Sequence, residues 1–76
     1  MLRKSALQVY RVVYDPTTPC WLIQQNGRPA LTHSSSKAVA VELALKLGRS
    51  ADAAQVIIHR SDGSVETEHM FSEGIA

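Results

Sequence analysis

The chain has 76 residues, a formal charge of +1 and 45% apolar residues. That gives room for one domain and not two, and it is too apolar for a disordered segment. The near-neutral charge argues against a dedicated nucleic-acid binder, which carries a basic stripe strong enough to displace counterions.

Arg3 and Lys4 near the start are followed by no long apolar run, because Gln8, Arg11 and Asp15 interrupt it. A signal peptide is therefore not expected. No stretch approaches the roughly 20 apolar residues of a membrane span. The core is expected over about residues 7–71 of a single 1–76 domain, with short flexible tails at both ends.

Residues 7–14 are rich in β-branched and aromatic types and read as a first strand. The segment Asp15-Pro16-Thr17-Thr18-Pro19 reads as a turn, since proline cannot continue a hydrogen-bonded ladder. Cys20 is the one cysteine, so no intrachain disulfide can form. Small secreted domains usually carry several, which points to a reducing cytoplasm. A reactive thiol needs a cationic or histidine neighbour, and none is adjacent. Cys20 therefore reads as a small residue at a strand start.

A second strand is predicted over 21–25, with Asn26-Gly27 as a tight hairpin turn. Residues 28–33 can return as a short third strand, held to an edge by Pro29. Ser34-Ser35-Ser36 offers hydroxyls to cap a helix over about 35–47, with Gly48 as its stop. A further strand over 55–60 turns at Ser61-Asp62-Gly63-Ser64 and pairs with 65–71. A two-residue loop there would set His59 opposite Glu66, Ile58 opposite Thr67 and Ile57 opposite Glu68. Val56, Ile58, Val65, Thr67 and Phe71 would then face the helix. Ile57, His59, Glu66, Glu68 and Met70 would face away. The predicted class is α+β: an antiparallel sheet of four to five strands, order β-β-(β)-α-β-β, with one helix across one face.

The helix carries more apolar surface than that architecture requires. At about 100° per residue, Ala40, Val41, Ala44 and Leu47 point to the sheet. Val39, Leu43 and Leu47 form a second row on the flank, and Glu42, Lys46 and Arg49 mark the solvent side. The flank row either packs under the loop at 15–20 or the tail, or it is a partner surface. A second copy is the simplest partner, because a two-fold interface uses one patch twice.

Chemistry is weakly signalled. His59, Glu66 and Glu68 would cluster on the outer face, where a carboxylate can raise a histidine's basicity and orient its ring. An open sheet face excludes little water, so a solvated cross-strand cluster is the plainer reading. His33 and His69 have no zinc-motif spacing, and no phosphate loop, dinucleotide motif or nucleophile elbow is present. No catalytic, cofactor or metal residues are assigned. Trp21 is the one indole and reads as an anchor, although it could stack on a base. Arg11, Arg28 and Arg60 would make a small cationic patch if they met on one face.

Four segments together resemble the small bacterial family catalogued as domain of unknown function 2188. They are Tyr10-Arg11-Val12-Val13, Trp21-Leu22-Ile23, His33-Ser34-Ser35-Ser36-Lys37-Ala38, and Val56-Ile57-Ile58-His59-Arg60-Ser61-Asp62-Gly63. The resemblance spans about residues 8–70. It departs at Arg60, where the family more often has Gly, and in a helix poorer in Glu and Lys. It implies a fold and a bacterial origin, and it carries no activity and no site residues.

The expected function is a non-enzymatic interaction module, a homodimer joined through the helix flank or a sheet edge, with another protein as a further partner. A nucleic-acid-binding or regulatory protein is the alternative, resting on Trp21 and the arginines. An enzyme using His59 with Glu66 or Glu68 is the third reading. No membrane and no cofactor is expected.

Overall fold

A computed structural model describes residues 7–25, 28, 30–51 and 53–72. Five strands and one helix follow in chain order: β1 (Gln8–Asp15), β2 (Cys20–Gln25), β3 (Thr32–Ser34), α1 (Lys37–Ser50), β4 (Ala53–His59) and β5 (Val65–Ser72). They form one sheet in the order β3-β2-β1-β4-β5, with α1 packed on one face. The expected tails, the Asn26-Gly27 turn and Pro29 lie outside the described residues.

Three neighbouring pairs are antiparallel, as expected, but β1 and β4 run parallel. The helix explains this. It starts near the Trp21 and Glu66 end of the sheet, where Lys37 contacts both. It finishes near Val56 and Phe71, against which Gly48 packs. The chain is thereby carried back to the end where β1 begins, so β4 must run the same way as β1.

Between β1 and β2, Asp15 closes the turn by accepting from the Thr17 N–H at 3.0 Å and the Thr18 hydroxyl at 3.2 Å. At the helix start, Ser36 is the cap. Its Oγ accepts from the Val39 N–H at 3.3 Å, and the Ser34 hydroxyl accepts from the Ser36 N–H at 3.1 Å.

Gly48 does not stop the helix. It lies inside α1, buried, and the cap is Ala51. Its role is close approach: a Cβ there would fall 2.8 Å from the Phe71 ring and 2.9 Å from a Val56 methyl. Glycine lets the helix sit down on β4 and β5.

Strand alternation then sorts the residues. Tyr10, Val12, Ile23, Ala54, Val56 and Ile58 form the core with Ala40 and Ala44 of the helix, while Val41, Leu47, Trp21 and Phe71 pack around it. Val12, Ile23 and Val56 are the largest fully buried side chains. Each is worth roughly 1.5–3 kcal/mol of burial.

The β4–β5 hairpin departs from the expected two-residue loop. Gly63 N–H donates to the Arg60 carbonyl at 2.9 Å, and Arg60 N–H donates to the Ser64 carbonyl at 2.8 Å. This leaves a three-residue loop with Gly63 at φ +94, a conformation open to glycine. Asp62 braces the loop, accepting from the Ser64 N–H at 2.9 Å and hydroxyl at 2.7 Å. Ile58 still pairs with Thr67 and Ile57 with Glu68, but the register shifts between Ile58 and His59, and His59 faces Val65. Glu66 is the extra residue of this bulge.

Candidate functional site

The flank of α1 next to β3 leaves large apolar side chains uncovered. Val39 is 47% exposed and Leu43 is 38% exposed. Leu47, one turn on, is half-buried and reaches the core. Of the three residues in the helical row, Val39 and Leu43 are exposed and Leu47 packs against the core. The turn at residues 16–19 is itself exposed and does not roof them.

Between this flank and β3 runs an open groove of about 420 Å³, lined by Leu31, Thr32, Leu43, Lys46, Leu47 and Ser50. Its walls are mainly apolar. Lys46 is the only ionisable group among them, so the groove has no acid–base pair. What it offers is a place for apolar side chains, with one cation at the rim.

Leu31, 47% exposed, is the groove residue that the sequence did not reveal. Alternation would place it on the face of His33. Instead, the Leu31 N–H bonds to the Ile23 carbonyl at 2.7 Å while Thr32 is the strand partner of Ile23. The chain bends at Leu31, and the period of two breaks there.

The bulge separates the three polar residues grouped from the sequence. Glu66 turns to the helix side, where its carboxylate pairs with the Lys37 ammonium. Lys37 also lies 5.0 Å above the Trp21 ring. The Lys37 hydrogen bond holds the Glu66 carboxyl below its ordinary value, against an opposing desolvation. Glu68 stays on the outer face, accepting from Gln55 Nε2 at 3.0 Å. His59 is there too, with both ring nitrogens engaged: Nδ1 lies 2.9 Å from the Gly63 carbonyl and Nε2 lies 3.2 Å from Arg11 Nη1. A guanidinium only donates, so Nε2 accepts and Nδ1 carries the proton. No group of three or more His, Cys, Asp or Glu that could hold a metal occurs among the described residues.

The aromatic residues all sit on the helix side of the sheet. Tyr10 is in the core, Trp21 and Phe71 pack against it, and Tyr14 meets Trp21 at 5.1 Å between ring centres. The open face therefore has no stacking platform for bases. The arginines do not gather either. Arg11 is tied to His59, and Arg60 folds onto its own hairpin through Ser64 Oγ and the Val65 carbonyl.

Among the described residues no helix is long and apolar enough to cross a membrane. Compared with protein-family models, curated proteins and solved structures, the chain finds no match.

Proposed function

We propose that this chain is a non-enzymatic interaction module that forms a homodimer through the α1 flank beside β3. The observation that supports it is an apolar groove lined by the exposed Leu31 and Leu43, with Val39 exposed one helical turn before Leu43. A helix covering a small sheet needs one apolar stripe. This one spends Ala40, Ala44 and Gly48 on the sheet and leaves branched side chains in water. A chain of this size also has a thin stability margin, which a second copy widens.

Catalysis is the weaker reading, because Glu66 is turned away from His59 and Glu68. Nucleic-acid binding is also weaker, because the aromatics lie under the helix and the arginines are dispersed. The bacterial and cytoplasmic parts of the reading rest on the single cysteine and on the motif order shared with domain of unknown function 2188.

Light scattering tests the proposal. The wild-type mass should rise with concentration toward that of two chains. Leu43→Glu puts a charge in the interface and should weaken dimerisation by at least about thirtyfold, the effect of a 2 kcal/mol contact residue. Its monomer fold should persist, because Leu43 lies outside the core. A wild-type monomer at every concentration would overturn the proposal.

A further inference from the structure

The geometry points to one way for two copies to meet: β3 pairs antiparallel with the partner's β3, joining the two sheets into one of ten strands. This rests on the self-association proposed above and adds which edge carries it.

The sheet has two end strands, β3 and β5. An end strand presents backbone groups that a second chain can pair with. The β5 edge is defended. It carries two carboxylates, Glu66 and Glu68, and a second copy pairing there would add two more along the same seam. The bulge at Glu66 also twists that edge out of regular register. The β3 edge, Thr32-His33-Ser34, carries no carboxylate, and neither lysine nor proline blocks it.

The uncovered apolar row lies on that same side. A two-fold axis perpendicular to the sheet at His33 keeps both helices on one face and reverses their direction. Leu31, Leu43 and Leu47 line the groove, and Val39 lies one turn before Leu43, toward the start of α1. Reversal therefore brings Val39 of each copy toward the partner's Leu31, with both Leu43 side chains facing the seam. Charge follows the same reversal. Glu42 and Lys46 are exposed one helical turn apart on either side of Leu43, so reversal turns Glu42 of each copy toward the partner's Lys46. A single operation thus satisfies the free strand edge, the apolar row and the charges.

Cysteine cross-linking reads the arrangement directly. Paired strands place opposed Cα atoms about 4.5–5.5 Å apart, inside the disulfide range of about 4.4–6.8 Å. His33 is exposed on the outer face and sits at the proposed axis. In a Cys20→Ser background, His33→Cys with oxidised glutathione should give a covalent dimer, and Met70→Cys on β5 should stay monomeric. Thermal melts of both reduced variants confirm that the fold is kept. If the wild type dimerises but Met70→Cys cross-links and His33→Cys does not, the edge assignment falls while self-association stands. If the wild type is monomeric throughout, both fall.

Discussion

Replacing Gly48 by alanine separates two effects of opposite sign. In a solvent-exposed helix the change should stabilise by about 1 kcal/mol, because alanine loses less backbone entropy. Here the new methyl would lie 2.8 and 2.9 Å from two Phe71 ring carbons and 2.9 Å from Val56 Cγ2. Ordinary contacts begin near 3.5 Å, so every one is too short by more than half an ångström. Neither neighbour yields easily, since Val56 is fully buried and the Phe71 ring is rigid. Overpacking of this kind costs about 1–3 kcal/mol. Set against the helical gain, Gly48→Ala should destabilise by about 1 kcal/mol, a fall in Tm of about 4–8 °C for a domain this small. Circular dichroism at 222 nm would follow the melt. In a Phe71→Val background, which removes the ring, the penalty should shrink. A Gly48→Ala protein that melts higher than the parent would refute the close approach of α1 to β4 and β5.

Ser36→Ala removes the hydroxyl that accepts from Val39 N–H and should cost about 1 kcal/mol of stability by urea titration. Acid should loosen the β4–β5 hairpin. Asp62 is held below its ordinary 3.8 by its Ser64 hydrogen bonds, and Glu66 below its ordinary 4.5 by Lys37. Both values are depressed in the folded state, so the stability they contribute is present above those ordinary values and is lost as pH falls through the lowered ones. Tm should decline below pH 4.5, less so in Glu66→Gln; an unchanged Tm across that range would contradict the two contacts.

Local features were legible in the sequence because local chemistry decides them. The β-branched runs form strands, the serines cap the helix, and Asp62-Gly63 makes a turn. The helix row at Val39 and Leu43 was legible because the helical period of 3.6 gives each residue a direction without knowledge of its neighbours. The missed features depend on contacts distant in sequence. The parallel β1–β4 pair follows from the direction of α1 over the sheet. Gly48 continues the helix because Phe71 and Val56 need its missing side chain. The bulge at Glu66 arises from a three-residue loop where a two-residue one was expected, and one residue of slip moved Glu66 to the other face. Leu31 was missed because a bend interrupts the strand period.

Sedimentation equilibrium of the wild-type chain, run over a wide concentration range beside Leu43→Glu, tests the central claim most directly. The wild type should approach twice its 8.3 kDa chain mass while the variant stays at the single-chain value. A wild type that holds the single-chain mass at the highest concentration would contradict the α1 flank as a self-association surface.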